Sequence, residues 1–114
     1  MASARYRKLQ HKAGEVLEFD LWMLNDGVNP VESCVVNVFV QVGNEQPNHI
    51  IDWQFPNLAA NTNFEGPTLR YILPEVPNAT ELKIILSCGE YSSEYTLLYD
   101  CPIKTEPKEK ILNI

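Results

Sequence analysis

One alternating run sets the limits for this chain. Within residues 14–25, Leu17, Phe19, Leu21 and Met23 recur at every second position, with Glu18, Asp20 and Trp22 between them. Side chains of an extended strand alternate between two faces, so this pattern describes a strand with one face in a core and the other toward water. A helix would scatter the same four apolar residues around its circumference. Asn25, Asp26 and Gly27 follow, and their chemistry is that of a turn. A half-buried strand needs partners and a second layer, so the rest of the sequence must supply them.

The later segments have the required form. Residues 34–42 place Val36, Val38, Val40 and Val42 in phase, and β-branched residues in phase mark a packed inner face. Residues 49–55 place Ile51, Trp53 and Phe55 on one side, and Pro56 ends the segment. Residues 57–63 read as a crossover between sheets. The tract 64–67, with Gly66 and Pro67, interrupts a strand that resumes over 68–73. Residues 80–88 carry Leu82, Ile84, Leu86 and Cys88 in phase, and Gly89-Glu90 turns the chain into a closing strand over 91–99. Residues 5–11 are a short edge strand or a lead-in. No segment has helical periodicity over a helix's usual length. The expected fold is all-β, an immunoglobulin-like two-sheet sandwich of about seven antiparallel strands.

Charge and length narrow the function. The 114 residues fit one domain. Nine basic against fifteen acidic residues give a net charge of -6. That balance argues against nucleic acid, which is bound by Lys and Arg neutralising phosphates, and against an anionic membrane surface. No apolar run reaches the about 18 residues of a membrane-spanning helix, so membrane insertion is not expected. The basic start, residues 1–8, lacks the apolar stretch of a secretory signal.

Cys34, Cys88 and Cys101 are an odd number without CxxC spacing, which is no zinc pattern. Three buried thiols are the favoured state. One bridge, such as Cys88 with Cys101 across the closing hairpin, is the alternative. Residues 104–110 are a charged linker, and the apolar residues Ile111, Leu112 and Ile114 after it read as the start of a further domain.

Little in the sequence resembles a catalytic centre. Glu18 and Asp20 project from the same side of one strand, roughly 7 Å apart by strand rise. That separation falls in the range of an inverting glycosidase's carboxylates. An open strand face, however, lacks the desolvation that shifts catalytic pKa values, so a solvated sheet face is the favoured reading. His11 and His49 have no ligand spacing around them and are expected at the surface or an edge. Tyr91, Tyr95 and Tyr99 share one face of the closing strand and are expected mostly in the core. Trp22 lies beside Glu18 and Asp20. Such a ring can meet a neighbouring domain, pack in a second layer, or stack on a sugar's C–H face. Asn78-Ala79-Thr80 matches a glycosylation acceptor triplet, a pattern common by chance. No cofactor or metal motif occurs.

The chain resembles one family at several points in order. Ala13-Gly14-Glu15, then residues 19–26 reading Phe-Asp-Leu-Trp-Met-Leu-Asn-Asp, resemble the opening of the late immunoglobulin-like domain of family 2 glycoside hydrolases. That group includes β-galactosidases, β-mannosidases and β-glucuronidases. Residues 38–43 resemble its strand-to-glycine turn, residues 69–74 a strand ending in Leu-Pro, and residues 94–99 a closing strand with a Tyr-x-Leu pattern. The resemblance spans residues 12–102. The loop 26–33 and the tract 57–68 match no motif of the family. The resemblance implies a non-catalytic accessory domain that braces a separate barrel carrying the catalytic carboxylates, which a chain of this length could not contain.

On this basis residues 1–11 are a lead-in or edge strand, residues 12–102 the sandwich, and residues 103–114 a linker and the start of a following, truncated domain. The chain alone is expected to be no enzyme, while its parent hydrolyses O-glycosidic bonds. Its partners would be the parent's neighbouring domains, with carbohydrate second. The candidate contact residues are Glu18, Asp20 and Trp22. The alternatives are a carbohydrate-binding module using Trp22 and a cell-surface interaction sandwich. The compartment stays open, a periplasmic or secreted parent being compatible with all three.

Overall fold

The computed structural model describes residues 1–102, which form two packed sheets. Eight strands build them: β1 (Ala2–Tyr6), β2 (Gln10–Lys12), β3 (Val16–Asn25), β4 (Val35–Val42), β5 (Asn48–Gln54), β6 (Thr62–Ile72), β7 (Glu81–Cys88) and β8 (Tyr91–Asp100). The smaller sheet has the order β1-β3-β6 and the larger β2-β8-β7-β4-β5. The all-β two-layer architecture is the one the alternation requires. Residues 103–114, read as a linker and a following domain, lie outside the described residues.

Two details of that expectation change. Among the described residues there are eight strands rather than about seven, and one pair, β2 with β8, is parallel. β1 is the less legible of the two N-terminal strands because its inward residues are Ala2 and Ala4. Such small side chains leave almost no hydrophobic periodicity. β1 pairs with β3 in the small sheet, and the chain then crosses so that β2 lies beside β8 in the large one. Side chains of β8 tie β1 down. Tyr95 Oη accepts from Ala4 N and donates to Ser3 Oγ, both at 3.3 Å, and Ser93 Oγ donates to Ala2 O at 3.3 Å.

The core lies between the sheets. Leu17, Phe19, Leu21 and Met23 of β3 are buried, as are the four in-phase valines of β4 and Leu82, Ile84 and Leu86 of β7. Each fully buried side chain of this size contributes about 1.5–3 kcal/mol relative to exposure. Trp53 and Phe55 belong to the same core, with Trp53 stacked on Phe64 at 6.3 Å between ring centroids. Tyr95 and Tyr99 pack inward, but Tyr91 sits at the hairpin tip and is 81% exposed.

The tract 64–67 does not interrupt a strand. β6 runs through it with a bulge, since Asp20 pairs with Thr68 and Trp22 with Glu65, leaving Gly66 and Pro67 opposite Leu21 alone. An edge strand tolerates the missing N–H of Pro67 there. Gly66 is required because a Cβ there would run into the Trp53 indole.

The cysteines also differ from the favoured state of three thiols. Cys34 and Cys88 form a disulfide, with Cα atoms 6.7 Å apart. β4 and β7 are antiparallel neighbours, so the start of one lies beside the end of the other. Cys101 is buried past the far end of β8, roughly 33 Å along the strand from the hairpin at strand rise, and so is no partner for Cys88. Sequence spacing carries no information on sheet order, which is why this pairing was not legible.

Candidate functional site

The outer face of the small sheet carries the three candidate residues. Glu18 is the cross-strand partner of Arg70, and Asp20 that of Thr68. Arg7, just after β1, reaches over both acids. Its guanidinium pairs with Glu18 Oε2 and donates to both carboxylate oxygens of Asp20 at 3.0 Å. Arg70 Nε meets Glu18 Oε1 at 3.3 Å, and Thr68 Oγ1 donates to Asp20 Oδ1 at 2.5 Å. The Thr68 hydroxyl, followed by Arg7 and Arg5, holds the Asp20 carboxyl below its ordinary value. A carboxylate stabilised as an anion is a poor general acid, and both carboxylates are engaged within the chain.

Trp22 is half-buried, and the Arg5 guanidinium lies 4.4 Å from its ring centroid. That cation–π contact occupies the ring face on which a sugar would stack. Val16 and Ile72 are cross-strand partners on the same outer face, 45% and 69% exposed. The face is therefore an ion-pair lattice with an exposed apolar pair at one end.

The two ends of the sandwich hold the buried polar side chains. At one end Asn25, 5% exposed, donates from Nδ2 to Asn29 O at 3.0 Å and Ala59 O at 2.9 Å, while its Oδ1 accepts from Gly27 N at 3.1 Å. It thereby fixes the β3–β4 and β5–β6 loops together. An Asn before Asp-Gly signals a turn in the sequence, but not a buried staple between two loops.

At the other end stands His11 of β2. It lies on the edge strand of the large sheet, one of the two positions expected of it, but its side chain is 3% exposed and so is buried rather than at the surface. Its Nδ1 is buried with no hydrogen-bond partner among the described residues. Burial, helped by Lys8 and opposed by Glu15, pushes its pKa below the ordinary 6.5. His49 is exposed on β5, with Nε2 2.7 Å from Asp52 Oδ1. A cleft of about 530 Å³ beside β2 is lined by Lys8, His11, Glu15, Thr80, Leu98 and Asp100 among others. Clefts of about 300 and 410 Å³ flank Val76 and Pro77 at the same end. Among the described residues no group of three or more His, Cys, Asp or Glu could hold a metal ion.

Fold and surface together define an immunoglobulin-like β-sandwich module. No protein-family model matches the chain, and no curated protein matches it either. Among solved structures it is similar to a β-glucosidase from Listeria innocua in complex with gluconolactone. The identity is 12% and the TM-score 0.57, and the match covers 88% of this chain but 16% of that one. It is also similar to a CARDB domain from Pyrococcus furiosus in complex with di-metal ions, at 12% identity and a TM-score of 0.63, covering 89% of this chain and 94% of that one. A superoxide reductase from Ignicoccus hospitalis matches at 9% identity and a TM-score of 0.53, over 86% of this chain and 79% of that one. At these identities the likeness is one of fold. The chain spans only a small part of the β-glucosidase and nearly all of the CARDB domain.

Proposed function

We propose that this chain is an accessory sandwich module of a larger glycoside hydrolase of the family 2 type, and that it braces neighbouring domains rather than performing hydrolysis. The observation that carries this reading is the outer face of β3. Its two carboxylates are ion-paired in an Arg7–Arg70 lattice with Thr68, on an open sheet instead of in a cleft. The similarity to a module-sized part of a β-glucosidase supports the same reading. The ordered motifs in residues 12–102 carry the narrower family assignment.

Glu18, Asp20 and Trp22, continued by exposed Val16 and Ile72, make this face the proposed contact with the parent's next domain. The Cys34–Cys88 disulfide supports an oxidising setting such as a periplasm or the cell exterior. Sugar binding through Trp22 is the weaker alternative, because Arg5 already covers the ring.

Hydroxyl-radical footprinting separates these readings. Val16, Trp22 and Ile72 should react more slowly in the full-length parent than in the 114-residue chain. Equal reactivity would remove the docking face. Affinity electrophoresis through polysaccharide gels should show no retardation, and retardation lost in Trp22→Ala would establish a carbohydrate-binding module instead.

A further inference from the structure

Among the buried titratable side chains that the proposed function does not use, His11 is the one with an unpartnered polar atom among the described residues. It is 3% exposed, and the atom is Nδ1. A buried polar atom without a partner costs about 1–3 kcal/mol and needs a reason. Its strand is short. β2 has three residues, and its ends are held to β8 by two backbone hydrogen bonds, Leu98 N to Leu9 O and Ala13 N to Asp100 O, each 2.9 Å. A neutral imidazole fits this position at moderate cost. An imidazolium does not, since it must bury a charge and a second donor.

The surrounding charges do not rescue the cation. Its own segment presents Lys8 and Lys12, both positive. The β2–β3 turn presents Glu15, whose Oε1 is already taken by Lys12 N at 2.9 Å and Lys8 Nζ at 3.3 Å. β8 presents Asp100 at the cleft and Tyr99, whose hydroxyl donates to Pro74 O, with Cys101 following. Thr80, before β7, is uncharged.

We infer that His11 is the pin of an acid-sensitive latch: neutral, it holds β2 against β8, and protonated, it releases residues 9–13 from the large sheet. The docked state binds fewer protons than the released one. Docking is therefore complete above the ordinary imidazole value of 6.5 and weakens as pH falls from there toward the lower docked-state value. Within that window the released population rises by up to about tenfold per pH unit.

Hydrogen-exchange protection factors, read amide by amide at about pH 7.5 and about pH 5.5, test the latch across the imidazole range. Ala13 and Leu98 should lose up to about tenfold in protection at the lower pH, while Val38 and Ile84 in the core keep theirs. His11→Phe should abolish the difference. Unchanged protection at Ala13 and Leu98, or a loss that persists in His11→Phe, overturns the proposal. Titration of the His11 ring in the unsubstituted protein gives an independent check that needs no variant: a midpoint at or above 6.5 also overturns it.

Discussion

Asn25 and His11 are both buried polar side chains, and they stand at opposite ends of the sandwich in opposite states. Asn25 has three hydrogen bonds to loop backbone, whereas His11 Nδ1 has none among the described residues. The first end is further closed by the Cys34–Cys88 disulfide. The second has a three-residue strand and three clefts. The difference teaches that a buried polar group rigidifies a fold only when it is fully satisfied. One end of this module is stapled, and the other is held by packing that a single proton can disturb.

The largest effect should come from the closed end. Replacing Cys34 and Cys88 together with serine opens a crosslink spanning 54 residues, and loss of its constraint on the unfolded chain costs about 4 kcal/mol. Urea unfolding of the double variant measures this, and a midpoint equal to that of the parent chain would show that the loops alone close that end. Asn25→Ala comes next. It strands two carbonyls and one amide, and should cost about 3 kcal/mol in the same assay. The smallest effect belongs to the open end. Tyr99 Oη donates to Pro74 O at 2.5 Å and accepts from Val76 N at 3.1 Å. Tyr99→Phe removes both bonds from a partly wet loop and should cost about 1–2 kcal/mol. A cost above that of Asn25→Ala would reverse the ranking of the two ends.

The sequence makes the inner faces of this protein plain and its polar interior obscure. Leu17 to Met23 and the valines of β4 announce their burial by period alone, because a half-buried strand allows no other arrangement. β1 escaped that rule since Ala2 and Ala4 carry too little apolar surface to register a period. Gly66 looks like a breaker until Trp53 is seen lying against it, a contact set by the packing of β5 in the large sheet over β6 in the small one. The candidate residues Glu18, Asp20 and Trp22 fall together on the outer face that alternation assigns them. Their ion-pair partners were not legible, because Arg7 and Arg70 reach them only through the pairing of three strands. His11 is the clearest case: a histidine between Gln10 and Lys12 reads as exposed in sequence and is buried in the fold.

The parallel pairing of β2 with β8 has a mechanical consequence. A pull on the chain before β2 and after β8 moves the two strands in opposite directions along their length. Their backbone hydrogen bonds are then loaded together in shear, not opened one at a time like a zipper. Tension entering from the N-terminus would load the five-residue β1–β3 pairing first and reach that three-residue seam once β1 has yielded.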